Sequence, residues 1–214
     1  MKTRYDTILF DFDFTLADSL EGATECINYA LSCLELPPYP EEKMASTIGH
    51  PMPEIFKMVA GSEDKEMLSK FRFHFLERSD EVMTDLISIF ADAHETLSYL
   101  KEKEYKLGIV STKQRYRIEE VLFKNNLHDE FHVIIGNEDV NNHKPHPEGL
   151  IKAVKSVSSS FPLYVGDHII DAKAAEAAGM DFLAVLTGTT TRDDFAPHNP
   201  VLIIENLTEL KSIL

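Results

Sequence analysis

The sequence of 214 residues predicts an α/β protein, a doubly wound parallel sheet with an all-helical segment inserted near its start. Three observations predict this fold. Short apolar runs rich in β-branched residues recur along the chain, segments with helical spacing lie between them, and one long stretch has helical patterns without a buried strand. The length suits one domain with a small insertion better than two large domains.

Six apolar runs are expected to form the strands of the sheet. They are continuous rather than alternating, which is typical of parallel strands buried on both faces. The segments between them, such as 94–104 and 114–127, carry apolar side chains at helical spacing. Repeated strand–helix units of this kind build a Rossmann-like core. The runs are residues 7–10, 107–110, 133–136, 163–166, 182–186 and 201–204.

The segment 17–90 interrupts this alternation, because its patterns are helical throughout. Its first helix is expected to open at Asp18 or Ser19, with Glu21 as the capping-box partner of Asp18. The proline-rich residues 37–40 end that helix. The predicted domains are a catalytic core, residues 1–16 and 91–214, and a helical cap, residues 17–90.

Two groups of side chains in the cap are interpreted as packing residues. Phe71, Phe73 and Phe75 are expected to pack inside the cap rather than to form a strip that faces a substrate. Cys26 and Cys33 lie about 10 Å apart along one helix, too far for a disulfide within it. We expect both to be small buried apolar side chains, and a reducing, cytoplasmic location follows.

The charge balance excludes several classes of partner. The chain has 21 Lys and Arg against 36 Asp and Glu, a formal net charge of −15. A nucleic acid or an anionic membrane is therefore not expected as the main partner. No apolar run is long enough for a signal-peptide core or a membrane span. The sequence does not indicate an oligomeric state.

Polar side chains follow the first three runs that border the predicted ligand edge of the sheet. Asp11 and Asp13 follow the first run, and two crowded carboxylates call for a bound cation or a shared proton. Ser111 and Thr112 follow the second run and precede a helix, where hydroxyls and backbone N–H groups suit a phosphate. Lys144 follows the third run and adds a cation.

The fourth run is followed by two more carboxylates, Asp167 and Asp171, at the start of an Ala-rich helix. Because the carboxyl ends of parallel strands share one edge, we expect all these groups to meet. A carboxylate can attack phosphorus, a second can protonate the leaving oxygen, and Mg²⁺ can screen the nucleophile from the phosphate. A lysine and hydroxyls can neutralise charge on the transferring group. The combination predicts phosphoryl transfer.

The order and spacing of these motifs resemble the haloacid dehalogenase superfamily, from the first strand to at least Thr187. The resemblance implies that Asp11 is the catalytic nucleophile and Asp13 the general acid/base. A halide leaving group needs no proton, so dehalogenase members lack an acid at the second position, whereas phosphatases and phosphomutases keep it. The chain thus looks like one of those. Its helical insertion after the first motif resembles that of phosphoglycolate phosphatase-like members.

The same resemblance implies the remaining roles. Lys144 would pair with both Asp11 and the phosphate, while Ser111 and Thr112 would bind the phosphoryl group. Mg²⁺ is the implied cofactor, and the implied substrate is a small phosphorylated metabolite, a phosphate monoester like phosphoglycolate or a sugar phosphate. The reaction would pass through an aspartyl-phosphate. The implied metal site comprises Asp11, the backbone carbonyl of Asp13, Asp167 and, in a supporting position, Asp171.

Phe14 departs from the pattern of the superfamily, which usually has Gly at this position. A Phe costs backbone freedom there, and its ring is expected on or near the crevice or packed beneath the cap. The nucleophile, the acid and Thr15 are intact. We therefore expect activity to survive and the fit of the leaving group to change.

Other functions remain open at this point. Within the superfamily the alternatives are a pyrophosphatase and a phosphohexose mutase. From a different class come a phospho-aspartate signalling protein and a non-catalytic ligand-binding relative in which Phe14 blocks the site. A signalling receiver domain has its phosphorylated Asp after the third strand and no large cap, whereas here the paired Asp residues follow the first strand.

Overall fold

A six-stranded parallel sheet is the centre of the larger part of the computed structural model, which describes residues 5–214. Its strands are β1 (Thr7–Phe10), β4 (Lys106–Val110), β5 (Val133–Ile135), β6 (Pro162–Gly166), β7 (Asp181–Val185) and β8 (Leu202–Ile204). The order across the sheet is β5-β4-β1-β6-β7-β8. The predicted doubly wound sheet is confirmed, and each of the six strands begins and ends within one residue of the predicted run.

The register of the central strands aligns the residues that follow them. Phe10 of β1 pairs with Ile109 of β4 on one side and with Val165 of β6 on the other. These strands have few polar side chains because helices and neighbouring strands bury them on both faces. The three strands therefore end at the same edge of the sheet.

The segment Asp18–Ser88 is a compact unit of its own. Its helices are α1 (Leu20–Cys33), α2 (Glu41–Met44), α3 (Met52–Ala60) and α4 (Lys65–Val82). Helix α1 packs along α4, and a buried cluster that includes Ile27, Leu31, Phe56 and Phe71 forms the interior. Two short strands, β2 (Ala17–Asp18) and β3 (Ser88–Ile89), form a separate two-stranded sheet.

The second unit holds the described residues up to Ala17 together with Ile89–Leu214. Besides the sheet it contains α5 (Ala91–Glu102), α6 (Arg115–Lys124), α7 (Glu148–Val157), α8 (Ile169–Ala178), α9 (Arg192–Phe195) and α10 (Leu210–Ile213). Nowhere in residues 5–214 is there a helix with the length and apolar character needed to cross a bilayer. That the two units act as catalytic core and cap stays a prediction.

Two local predictions for helix α1 are wrong. The helix begins at Leu20 with Ser19 as its N-cap, so Glu21 is its second residue and does not close the capping box. Asp18 instead accepts a hydrogen bond from the backbone N–H of Leu20, with Oδ1 2.9 Å from the nitrogen. Neither thiol forms a disulfide, and only Cys26 is buried, because Cys33 lies at the last position of the helix and is exposed.

The three aromatic rings of α4 divide between two faces of the helix. Phe71 is fully buried and its ring lies 5.3 Å from that of Phe56 and 6.3 Å from that of Phe75. Phe73 is 61% exposed, so the prediction that it packs inside the cap is wrong. Residues two apart on a helix do not share a face, which is why Phe73 cannot join its neighbours.

Replacing Phe71 by Ala is expected to lower the free energy of unfolding by about 3–5 kcal/mol, because the truncation leaves a cavity in the packed interior. Phe73→Ala is the matched control two residues away, and its change should stay within about 0.5 kcal/mol. Urea denaturation followed by far-ultraviolet circular dichroism measures both values. Equal losses in the two variants would contradict the packing described.

Candidate active site

Three buried carboxylates meet at the carboxyl edge of the sheet. Asp11 follows β1, Asp167 follows β6, and Asp171 lies in the first turn of α8. One oxygen of each lies within 4.8 Å of the others. The backbone fixes the first of them, because Asp11 N donates a hydrogen bond of 2.9 Å to the carbonyl of Val165. The geometry thus unites three of the predicted metal-site residues.

Lys144 supplies the positive charge beside this cluster. Its Nζ donates a hydrogen bond of 2.6 Å to Oδ1 of Asp171 and lies 2.9 Å from Oδ1 of Asp11. All three side chains are almost closed to water. The contact with Asp11 is an ion pair, and Oδ1 of Asp11 accepts no hydrogen bond from residues 5–214. One ammonium therefore balances three carboxylates.

Tyr164 of β6 holds the ammonium and a carboxylate in place, a role that the sequence did not predict. Its hydroxyl lies 3.1 Å from Lys144 Nζ, 3.0 Å from Asp171 Oδ1 and 3.0 Å from the carbonyl oxygen of Val110. The residue is fully buried. A Tyr inside a buried strand needs a partner for its hydroxyl, and that need was the available signal.

The pKa values of the cluster reflect its burial and its like charges. Burial raises the pKa of Asp11 to about 6, with Lys144 opposing the shift and Asp171 and Asp13 adding to it. Burial also raises the pKa of Asp167 well above its usual value, and the charges of Asp171 and Asp11 add to this. A site of this kind favours either bound protons or a bound cation.

The pKa of Lys144 moves in the direction that keeps it charged. Burial alone would lower its pKa, but Asp11 and Asp171 raise it above the usual lysine range. Lys144 is therefore an ammonium at neutral pH. Its charge can act on an anion that enters the site.

Asp13 lies apart from the three clustered carboxylates and pairs with Lys113. Nζ of Lys113 is 2.9 Å from Oδ1 of Asp13, and each side chain is only 11% exposed. Lys113 was not predicted as a site residue. Its position two residues after Ser111, at the same strand end, was the signal that could have found it. The two aspartates that follow β1 thus have different partners.

The predicted phosphate-binding residues lie around one small cavity. Ser111 follows β4, and its backbone N–H donates a hydrogen bond of 3.0 Å to the carbonyl of Ile135. Ser111, Thr112 and Lys144 all line this cavity. The cavity has room for about one water molecule and is too small for a phosphate, but two hydroxyl residues and an ammonium lie side by side along it.

The turn after Asp13 and the start of α8 complete the site. Phe14 is buried and has a left-handed backbone with φ of 56°. The hydroxyl of Thr15 donates a hydrogen bond of 3.0 Å to Oδ1 of Asp167. His168 caps α8, because its Nδ1 accepts a hydrogen bond from Ile170 N and its own N–H donates to Oδ2 of Asp171. These contacts position two of the clustered carboxylates.

Known proteins resemble this chain over almost all of its length. The family described as haloacid dehalogenase-like hydrolase matches residues 8–185. A protein of Bacillus mycoides named pyrophosphatase PpaX is 30% identical over 213 residues, which cover 99% of this chain and 97% of that protein. A solved structure from Bacteroides fragilis, named as a haloacid dehalogenase-like hydrolase, has a TM-score of 0.93 at 37% identity, covering 97% of this chain and 100% of that one.

A second solved structure, named as a phosphatase of Clostridium difficile, has a TM-score of 0.86 at 25% identity and covers 100% of both chains. The fold and the matches together define a Rossmann-like hydrolase of the phosphatase type. This chain belongs to the haloacid dehalogenase-like hydrolase family, which confirms the resemblance seen in its motifs. The roles of the individual site residues stay predictions.

In the metal-free protein, ionisation of Asp11 is expected to lower the free energy of unfolding by roughly 3 kcal/mol as the pH rises from about 4 to about 6, and the raised pKa of Asp167 adds to this fall. The ordinary pKa of an aspartate is 3.8, and that of Asp11 is about 6 in the fold. The folded protein therefore holds this proton more tightly, and the stabilisation present below pH 4 is lost as Asp11 ionises.

Urea unfolding in the presence of a chelator, repeated across this pH range, measures the fall. Asp11→Asn is the control, because the Asn side chain is neutral at every pH. The fall in the free energy of unfolding should be smaller in this variant by roughly 3 kcal/mol. An identical pH dependence in the two proteins would contradict the assignment.

Proposed function

We propose that this protein is a Mg²⁺-dependent phosphatase that hydrolyses a small phosphate monoester through an aspartyl-phosphate on Asp11. The observation that supports this most is the buried cluster of Asp11, Asp167 and Asp171 with Lys144 as its single ammonium. Such a site has an excess of negative charge that a divalent cation can balance. The cavity lined by Ser111 and its neighbours lies beside the same ammonium.

The side chains of the cluster fit a Mg²⁺ ion. Asp11 and Asp167 offer carboxylate oxygens, which are the ligands that Mg²⁺ prefers, and the backbone carbonyl of Asp13 is the further proposed ligand. Oδ1 of Asp11 is buried and accepts no hydrogen bond within the described chain. Asp171 already accepts hydrogen bonds from Lys144, Tyr164 and His168 N, which suits a supporting position. Bound Mg²⁺ would screen charge between the nucleophile and the phosphate.

The first half of the proposed reaction transfers the phosphoryl group to the protein. Lys144, Ser111 and Thr112 bind the phosphoryl oxygens and neutralise part of their charge. A carboxylate oxygen of Asp11 attacks phosphorus, so an Asp11 O–P bond forms as the ester P–O bond breaks. Asp13 donates its proton to the leaving oxygen, which departs as an alcohol.

The second half returns the protein to its starting state. Asp13, now a carboxylate, takes a proton from a water molecule as that water attacks phosphorus. The Asp11 O–P bond breaks, inorganic phosphate leaves, and both aspartates are restored. Lys113, 2.9 Å from Oδ1 of Asp13, holds this carboxylate away from the cluster around Asp11. One water molecule is consumed for each ester bond broken.

The unit Asp18–Ser88 serves as the cap domain that selects the substrate, and the other unit carries the chemistry. The partner is a small phosphorylated metabolite rather than a nucleic acid or a membrane, in keeping with the net charge of −15. The two cysteines form no disulfide, which suits a reducing, cytoplasmic location.

Pyrophosphate is the second candidate substrate. The relatives that match over almost the whole chain at 30% identity are named pyrophosphatases. The presence of Asp13 favours an ester, because an alkoxide leaving group needs a proton far more than a phosphate leaving group does. The ratio of kcat/KM for alkyl phosphates to that for pyrophosphate decides between the two.

Asp11→Asn is expected to lower kcat at least about a thousandfold, because the amide is a poor nucleophile. The assay is phosphate release from a panel of small monoesters and pyrophosphate in MgCl₂, with chelator added to parallel samples. Chelation should abolish turnover by the wild type.

The matched control for Asp11→Asn is Asp193→Asn, which alters an exposed carboxylate on α9 and should keep full activity. Absence of phosphate release by the wild type from every compound in the panel would overturn the proposed function. A sugar phosphate isomerised without phosphate release would indicate a mutase instead.

Asp13→Asn is expected to lower kcat about 10²- to 10⁴-fold for an alkyl phosphate, because general acid catalysis is lost. The loss should be much smaller with p-nitrophenyl phosphate when the first step is compared, since p-nitrophenolate leaves without a proton. Rapid-quench measurement of the first turnover gives both values. Equal losses for the two esters would contradict the role of Asp13 as the acid.

A further inference from the structure

The turn after Asp13 contains a residue in an unfavourable backbone conformation. Phe14 has φ of 56°, in the left-handed region that side chains with a Cβ rarely adopt. Hydrogen bonds close the turn around it, because Phe14 N donates to the carbonyl of Ala17 and the N–H groups of Leu16 and Ala17 donate to that of Phe12. Something must compensate for the conformational cost at Phe14.

A loop that is distant in sequence contacts this turn. The hydroxyl of Thr187, in the loop after β7, donates a hydrogen bond of 2.5 Å to the carbonyl oxygen of Phe14. The next residue, Gly188, lies so close to Asp167 that an added Cβ would be 2.0 Å from Oδ2 of that carboxylate. The loop therefore contacts the turn and the metal-site carboxylate together.

We propose that Thr187 is a positioning residue that holds the Phe14 peptide in its left-handed conformation. Phe14 stands between Asp13, the proposed acid/base, and Thr15, whose hydroxyl donates to Asp167. If the peptide relaxed to negative φ, both neighbours would change direction. The hydroxyl of Thr187 thus keeps Asp13 aimed at the leaving oxygen. The catalytic part of this inference rests on the proposed function.

The inference predicts that Thr187 matters because position 14 carries a Cβ. Gly adopts positive φ about as readily as negative φ, so with Gly at position 14 the turn needs less help from the hydroxyl. A role of Thr187 in packing alone would be independent of the residue at position 14. The two explanations differ in a double-mutant cycle.

The experiment combines Thr187→Val with Phe14→Gly and uses Thr187→Ser as the conservative variant. With Phe14 present, Thr187→Val should lower kcat about tenfold with KM nearly unchanged, whereas Thr187→Ser should keep most of the wild-type kcat. With Gly at position 14, the same Thr187→Val change should lower kcat less than about threefold. Equal losses in both backgrounds, or no loss in either, would overturn the inference.

Urea unfolding of the wild type, Thr187→Val, Phe14→Gly and the double variant tests the coupling without any assay of activity. Thr187→Val should raise the equilibrium constant of unfolding about tenfold less with Phe14 than with Gly at position 14, because loss of the hydrogen bond also lets the turn release the strain at Phe14. Additive effects on unfolding would overturn the inference even for an active enzyme. Coupled unfolding in a protein that releases no phosphate would overturn the proposed function and leave the role of Thr187 in the turn supported.

Discussion

Lys144 stands between Asp11 and Asp171, with Nζ 2.9 Å and 2.6 Å from their Oδ1 atoms in a site almost closed to water. Burying three carboxylates beside one ammonium is costly unless protons or a cation complete the balance. This imbalance links several properties of the molecule. Burial, together with this imbalance, raises the pKa of Asp11 and Asp167 and so couples stability to pH. The imbalance also makes the site suitable for a divalent cation. Tyr164 gives the arrangement a fixed geometry through its hydroxyl.

The surrounding backbone allows these charges to approach so closely. At Gly166 and Gly188 an added Cβ would lie 2.6 Å from Oδ2 of Asp171 and 2.0 Å from Oδ2 of Asp167. Any side chain at either position would displace a carboxylate of the cluster. The parallel register of β1, β4 and β6 brings the rest of the site to the same edge. Packing of the sheet and chemistry of the site therefore constrain the same residues.

Two aspartates separated by a single residue have different surroundings. Asp11 joins the buried cluster, whereas Asp13 turns to Lys113. The proposed mechanism needs this separation, because one carboxylate must remain a nucleophile while the other exchanges a proton. The left-handed turn at Phe14, bonded to Thr187, lies where the chain leaves Asp13. The unfavourable backbone conformation of Phe14 therefore lies next to Asp13, at the point where the proposed acid/base is separated from the proposed nucleophile.

The sequence by itself determined the strands, the helical insertion and the residues at the strand ends. Continuous apolar runs and helical spacing are local properties, and parallel strands must present their carboxyl ends at one edge. The predicted capping box at Asp18 is wrong because the N-cap of the helix is Ser19, one residue later. Only the tertiary structure decided the contacts of Lys113, Tyr164 and Thr187. Their partners include residues that are separated from them in sequence by 100, 20 and 173 positions, respectively. A hydrogen bond between distant segments depends on tenths of an ångström, and no periodicity in a sequence carries that information.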